Sequence, residues 1–390
     1  MSNLLNEANQ IFNCLIKHRR YLHQNAECAF VLPKTLLYIE NELRELGYIP
    51  KRIGKASVYA QIGEGGDACL LRADIDALET EEQSGVPYAS INGKMHSCGH
   101  DMHAAMLLGA AEIIAKHKDK LKSKVTLLFQ GGEEILEGAK DVIDNGILEL
   151  SNAKSAISLH AIPAIEIKTG TILLPQGGVV APAADFFKVH LKGLACHGST
   201  PWLGRDTLSL ACKIISEIPR SITSKLPPSN GTVISVGRLT AGKAGNIIAD
   251  SALFEGTVRC NSDEIQAKIK SKLSKVIENA SELEEIKPDI TYPGGAPTLL
   301  IDNNLLGEAE MLFKEQMGKD CVISATGSDS ALGGSEDFAH FSHKIPSLLI
   351  GISAGAPSEG YTHPLHHPKV KFDERALPIG AACFSSFALR

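Results

Sequence analysis

The sequence predicts an α/β protein of two domains, the first interrupted by a small inserted one. Three observations point there. At 390 residues the chain exceeds the usual size of one hydrophobic core. Apolar runs of strand length alternate with segments of helical period in the first and last parts of the chain, as in a sheet covered by helices. Between residues 185 and 295 the order becomes strand, helix, strand, strand, helix, strand, the βαββαβ order of a compact ferredoxin-like module. The expected boundaries are therefore 1–184 and 296–390 for the discontinuous α/β domain and 185–295 for the insert.

Residues 4–24 and 34–46 repeat apolar positions at helical spacing, and Gly47 closes the second segment. The period then changes, and 56–62 and 68–73 read as strands joined by the turn Gly63-Glu64-Gly65-Gly66. A helix over 102–117 leads into 124–130, a continuous apolar strand of the kind buried on both faces. A helix over 137–145 and a short strand over 156–159 follow. In the insert, 186–192, 231–239, 251–260 and 286–292 read as strands, and 206–217 and 264–283 as helices. Pro293-Gly294-Gly295-Ala296-Pro297 reads as a linker back to the α/β pattern, which resumes through Leu348-Leu349-Ile350-Gly351 and a helical segment over 375–389.

Polar, ligand-capable residues stand at or just after the ends of the apolar strands: Asp74 and Asp76, Glu133 and Glu134, and His160. In open α/β sheets that edge is where sites form. The densest chemistry lies in Met95-His96-Ser97-Cys98-Gly99-His100-Asp101-Met102-His103. Gly99 permits a sharp turn that aims Cys98 and His100 at one centre, and Asp101 is placed to cap the helix that follows.

A hydrolytic metal centre needs ligands that lose protons readily, an open coordination position and a carboxylate that takes a proton from water. Cys98, His100, His160 and one glutamate of the Glu133-Glu134 pair meet the first need, with His366 or His367 as a late-arriving ligand. Adjacent glutamates can divide the roles of ligand and base. Asp76 is a candidate for orienting a ligand histidine, and Arg259 for gripping a substrate carboxylate with its planar fork. Thiolate and imidazole suit zinc, nickel or cobalt, whereas carboxylate with open positions tolerates manganese.

Composition removes other classes. The formal net charge is -6 and Lys and Arg are scattered, so no basic field is expected to attract nucleic acid. No apolar run reaches membrane-spanning length, and residues 1–20 lack the basic, apolar and small-residue blocks of a secretory leader, which predicts a cytoplasmic protein with no membrane partner. Nine widely spaced cysteines without a Cys-x-x-Cys pair argue against a disulfide framework, and a redox role for Cys98 lacks a partner thiol nearby in sequence.

Several segments together resemble one family. They are Arg19-Arg20-Tyr21-Leu22-His23, Leu71-Arg72-Ala73-Asp74-Ile75-Asp76-Ala77-Leu78, the stretch from Met95 to His103, and Gln130-Gly131-Gly132-Glu133-Glu134. Leu159-His160, His197-Gly198 with Pro201-Trp202, Ala244-Gly245-Asn246-Ile247-Ile248, Gly256-Thr257-Val258-Arg259, Ser335-Glu336-Asp337-Phe338 and Leu365-His366-His367-Pro368 continue the match. The chain resembles the amidohydrolase branch of the aminoacylase/carboxypeptidase metallopeptidase family, which includes hippurate hydrolases and plant hydrolases of indole-acetyl-amino acid conjugates.

That resemblance implies a metallopeptidase-type α/β domain holding two divalent ions, with Cys98, His100, Glu134, His160 and His366 as ligands and Cys98 bridging. His366 is preferred to His367 because it fills the Leu-His slot of the family pattern. Glu133 would act as general base and then acid. The insert would mediate a homodimer and bring His197 to the active site across the interface, with Asn246 near the substrate. The implied reaction is hydrolysis of an N-acyl amino acid to a carboxylic acid and a free amino acid. A dipeptidase or metallocarboxypeptidase acting on short peptides would use the same machinery. A binding protein that keeps the metals without catalysis is a third reading, and the presence of both Glu133 and His197 argues against it. The chain departs from the family pattern at Gly131-Gly132 in place of Pro-Ala, at Ala26 and Ala249 in place of Pro, and at Glu79 in place of Pro. The two glycines predict a more mobile base-bearing loop, and Glu79-Thr80-Glu81-Glu82 adds negative charge that would bias substrate choice.

Overall fold

A computed structural model describes residues 4–325 and 334–390. They form two compact units, one containing the residues through Val180 together with the stretches that start at Leu299 and Glu336, the other containing Ala181–Thr298 and Ser335.

The first unit opens with α1 (Leu4–Gln10), α2 (Phe12–Gln24) and α3 (Pro33–Glu45), so the expected helix over 4–24 is broken at Ile11. It continues with β1 (Lys51–Ile53), β2 (Ser57–Ile62), β3 (Cys69–Asp74), α4 (His100–Lys116), β4 (Val125–Gln130), α5 (Gly138–Asp144), α6 (Ile147–Ser151), β5 (Ser155–Ile162), β6 (Ile172–Leu174) and β7 (Gly178–Ala181). The second unit comprises β8 (Ala183–Lys192), α7 (Thr207–Ser221), β9 (Val233–Ala241), β10 (Ser251–Cys260), α8 (Asp263–Glu282) and β11 (Lys287–Ala296). The chain then returns through β12 (Leu299–Ile301), α9 (Asn303–Met317), β13 (Val322–Ser324), α10 (Ala339–Ser342), β14 (Ser347–Ser353) and α11 (Leu377–Ala388).

Among the described residues the larger sheet has eight strands in the order β1-β2-β4-β3-β5-β14-β6-β13. The strands joined by the Gly63–Gly66 turn are not neighbours, because β4 lies between them, antiparallel to β2 and parallel to β3. The parallel run β4-β3-β5-β14 is buried on both faces, which is why these strands read as unbroken apolar stretches. Parallel pairing also sends their carboxyl ends to one edge of the sheet. Helices α4 and α11 are buried along most of their length and pack against each other in the core.

Asp101 does not cap α4. The N-cap position is Gly99, and the Asp101 carboxylate instead accepts from Arg19 Nε and His23 Nδ1, both at 2.9 Å, which ties α4 to α2.

The second unit is a four-stranded antiparallel sheet in the order β11-β8-β10-β9, the split βαβ arrangement expected of βαββαβ connectivity. Phe187, Val189, Leu191, Phe254 and Val258 from the strands pack with Leu210, Ile214, Ile218, Ile269, Leu273 and Ile277 from α7 and α8. Asp206 caps α7 through the Leu208 and Ser209 amides, and Ser262 caps α8 through the Ile265 amide. The segment read as a linker continues β11 to Ala296, with a register shift between Thr291 and Gly294 that absorbs Tyr292 and Pro293. That extension and the start of β8 at Ala183 put the edges of the unit at Ala181 and Thr298 rather than at residues 185 and 295. Among the described residues no helix is long and apolar enough to cross a membrane.

Candidate metal centre

The carboxyl edge of the parallel strands gathers the donors. Asp74 ends β3, Glu133 and Glu134 follow β4 by three and four residues, and His160 lies near the end of β5. Cys98 and His100 arrive at the start of α4, where Gly99 adopts φ 91°, a left-handed conformation that favours glycine. A Cβ on Gly99 would also lie 2.8 Å from the Phe372 ring. His366 comes from the loop before α11, at φ 65°, with its amide bonded to the Ser97 carbonyl at 2.9 Å.

Cys98 Sγ lies 3.5 Å from His160 Nε2 and 3.3 Å from His366 Nε2. Glu134 carboxylate oxygens lie 3.7 Å from His366 Nε2 and 3.8 Å from His100 Nε2. Tetrahedral coordination at ordinary zinc bond lengths separates two nitrogen or oxygen donors by about 3.4 Å and a sulfur from a nitrogen by about 3.6 Å. The observed separations lie within about 0.4 Å of these. The donors fall into two triads that share Cys98: Cys98 with His100 and His160, and Cys98 with Glu134 and His366, each with its donor atoms within 4.8 Å of one another.

Orientation of the imidazoles agrees with this. His100 Nδ1 donates to the Asp76 carbonyl at 2.8 Å and His160 Nδ1 to the Ala161 carbonyl at 2.9 Å, so each Nε2 presents its lone pair to the cluster. Buried His100 Nε2 and Glu134 Oε1 have no hydrogen-bond partner among the described residues, which is the state of atoms that hold a cation. Burial, reinforced by the neighbouring imidazoles of His103 and His100, pushes the pKa of His160 down to about 3, leaving it neutral and able to ligate. Burial raises the Cys98 thiol well above its ordinary value, with Glu134 adding to it, so a nearby cation is what would hold it as thiolate.

Asp76 reaches His100 through its carbonyl, while its carboxylate does something else. Oδ1 accepts from the Glu133 amide at 3.0 Å and Oδ2 from the Glu134 amide at 3.2 Å, holding the acidic loop. Glu133 points its carboxylate within 3.8 Å of His100 Nε2 and is buried. Burial, then the nearby Glu336, Glu134 and Asp337, raises its pKa well above the carboxylate range. A base that binds its proton more tightly than a free glutamate is suited to work near neutral pH.

Residues that the sequence reading did not assign surround the cluster. His103 Nδ1 lies 2.5 Å from Asp74 Oδ1, and His103 Nε2 accepts from the Ala161 amide at 2.8 Å, fixing the backbone beside His160. His103 follows His100 by three residues on a helix, so the two share a face, and that spacing was the available signal. Arg72, fully buried, donates to Asp74 at 2.8 Å, Asp337 at 2.7 Å and Gln130 at 3.0 Å, and pairs with Glu336 at 3.1 Å. Nothing in a strand sequence distinguishes such an arginine from a surface one.

His197, Asn246 and Arg259 belong to the second unit. His197 is exposed, with Nδ1 bonded to Ser199 Oγ at 2.7 Å, and the Asn246 carbonyl accepts from the Gly198 amide at 2.8 Å, so these two lie side by side. Arg259 lies on β10 and donates from Nη1 to Ser335 Oγ at 2.8 Å.

Comparison with known proteins shows the family. Residues 70–390 match the model of peptidase family M20/M25/M40. The chain is 36% identical over 367 residues to an N-acetyl-L-cysteine deacetylase of Bacillus subtilis (strain 168), covering 93% of this chain and 84% of that protein. It is 32% identical over 370 residues to an N-acetyldiaminopimelate deacetylase of the same organism, covering 93% and 94%. Among solved structures it resembles a dinuclear metal binding peptidase of the M20 family from Bacillus subtilis, at 28% identity, a TM-score of 0.75 and 98% coverage of both chains. The chain belongs to peptidase family M20/M25/M40.

Proposed function

We propose that this protein hydrolyses the amide bond of N-acyl amino acids, releasing a carboxylic acid and the free amino acid, with two divalent ions in the Cys98-centred site. The observation that carries the reading is the pair of donor triads sharing Cys98 beside a buried carboxylate, Glu133. Relatives that deacetylate N-acetylcysteine and N-acetyldiaminopimelate supply the substrate class.

Cys98, His100, Glu134, His160 and His366 would hold two divalent ions, which when bound would supply Lewis acidity and lower the pKa of a water. Glu133 would take a proton from the attacking water as its oxygen bonds to the amide carbon, and deliver that proton to the amine nitrogen as the C–N bond breaks, so no other acid is required. Asp76 keeps this carboxylate in place through the two loop amides. His197 stabilises the developing oxyanion and Asn246 contacts the substrate beside it. Arg259 takes the substrate carboxylate, with Ser335 steadying the guanidinium.

The insert forms a homodimer in this proposal. Its edge strand β9 has one side unpaired among the described residues and exposes Val233 and Leu239, and Trp202, Leu203 and Ile247 are exposed on the same unit. Sedimentation of the Val233→Lys/Leu239→Lys double variant as a monomer, with the parent a dimer, would support it. A monomeric parent would refute it. The cytoplasm is the proposed compartment, in keeping with nine free cysteines.

The test is a panel of N-acetyl and N-benzoyl amino acids and dipeptides, assayed for amine release after chelation and re-addition of zinc, manganese, cobalt or nickel. Metal-dependent cleavage of the N-acyl substrates is expected. Cleavage of dipeptides alone would replace the assignment with a peptidase, and turnover that survives chelation would end it.

A further inference from the structure

The segment Glu27–Leu32 touches both loops that build the acidic side of the site. The Ala77 amide, one residue past Asp76, donates to the Glu27 carbonyl at 2.8 Å. Phe30 lies against Gly132, one residue before Glu133: a Cβ on Gly132 would sit 2.4 Å from the Phe30 ring, and Gly132 itself has φ 80°. A Cβ on Gly131 would sit 2.5 Å from Leu32 Cδ1 and 2.6 Å from the Ala56 carbonyl. The glycines are therefore not a source of looseness. They let the segment 29–32 come into backbone contact with the loop that carries Glu133 and Glu134.

The segment is itself braced. Glu27 accepts from the Lys34 and Thr35 amides at the start of α3, and Asn92 donates to the Ala26 carbonyl at 2.9 Å. On its outer side the Phe30 ring carries the Lys55 ammonium 4.5 Å from its centroid, and Lys55 is in turn tied to Glu137 at 3.4 Å. The ring is thus held between a cation and a bare backbone. Ala29 adopts φ 52°, a conformation that an alanine takes only when its surroundings impose it.

We propose that Phe30 is a positioning residue for the Glu133–Glu134 loop, matched to Gly132. The inference rests on the reading of Glu133 as base and Glu134 as ligand. If the ring is removed, the loop gains room to move toward Ala29–Leu32 and away from the donor cluster. If a Cβ is added at residue 132, the ring and the loop must separate.

The test is a cycle of Phe30→Ala, Gly132→Ala and the double variant, with Phe30→Leu as the conservative control. Metal affinity is read by Co2+ titration followed through the thiolate charge-transfer band, and kcat and KM on an N-acetyl amino acid at saturating metal. Phe30→Ala should weaken Co2+ binding and lower kcat, each by about tenfold, with KM within about twofold. Phe30→Leu should restore most of both. Gly132→Ala should cost less in the Phe30→Ala background than in the parent, because the clash is gone. Parental Co2+ affinity and kcat in Phe30→Ala, with only a lower midpoint of thermal unfolding, would overturn the proposal, as would strictly additive effects. Should the parent cleave no N-acyl substrate, the functional reading fails, and the Co2+ arm alone still decides the role of Phe30.

Discussion

Replacing Arg72 with Met would remove a guanidinium buried among the carboxylates of Asp74, Glu336, Asp337 and Glu133. Its guanidinium is fully buried and reaches Asp74, Asp337 and Glu336 at 2.7–3.1 Å, with Gln130 on Nε. Glu133 lies within the same acidic group, its ligand-capable oxygen within 4.8 Å of those of Glu336 and Asp337. Removing one partner of a buried ion pair costs about 3–5 kcal/mol, and here Glu336 and Asp337 lose their cation while Asp74 keeps His103, which puts Arg72→Met at about 3–5 kcal/mol. Arg72→Lys keeps a charge but loses the planar fork and two or more charge-assisted hydrogen bonds, a loss of about 2–3 kcal/mol. Equilibrium urea denaturation monitored by far-UV circular dichroism measures both. The deficit of Arg72→Met should shrink as pH falls, because stranded carboxylates then bind protons in the folded state. A loss under about 1 kcal/mol for Arg72→Met, independent of pH, would refute the claim that Arg72 neutralises this cluster.

Glu133→Gln should lower kcat by about a thousandfold while leaving metal content at the parental level, measured by amine release and elemental analysis. His18 is buried between Cys14 and Tyr38, and burial lowers its pKa to about 4 from 6.5. The unfolded chain therefore takes this proton first, so stability is present above pH 6.5 and falls, by up to about 3 kcal/mol, as pH drops toward 4. Urea midpoints of the parent and His18→Gln, compared from about pH 7 to about pH 5, should show a flatter slope in the variant. Gly99→Ala should lower metal affinity and stability together, because the left-handed φ and the Phe372 ring both oppose a Cβ there. A parental Co2+ titration curve for this variant would contradict that.

Much of the centre was legible because it follows from strand ends. Asp76, Glu133, Glu134 and His160 stand at or beyond the ends of β3, β4 and β5, and parallel pairing brings those ends together whatever the detailed packing. Cys98 and His100 were marked by their density in one loop. What escaped depends on the third dimension. The place of β4 between β2 and β3 is set by long-range pairing that a Gly-rich turn does not encode. Asp101 has the composition of a helix cap, yet buried Arg19 and His23 compete for its carboxylate and win. The Pro293–Ala296 segment looks like a linker, but a bulge lets it continue β11. Gly131 and Gly132 suggest freedom on their own, and only Leu32 with the Ala56 carbonyl at the first and the ring of Phe30 at the second, far earlier in the chain, explain them.

The central claim is that two ions share one thiolate. Elemental analysis of the parent and of Cys98→Ala, each purified alike and dialysed against the same metal-free buffer after loading, tests it most directly. The account predicts two divalent ions per chain in the parent and loss of both in Cys98→Ala, whereas His160→Ala and His366→Ala each lose mainly one. A Cys98→Ala protein that keeps both ions, or a parent that hydrolyses its substrate with none, would contradict it.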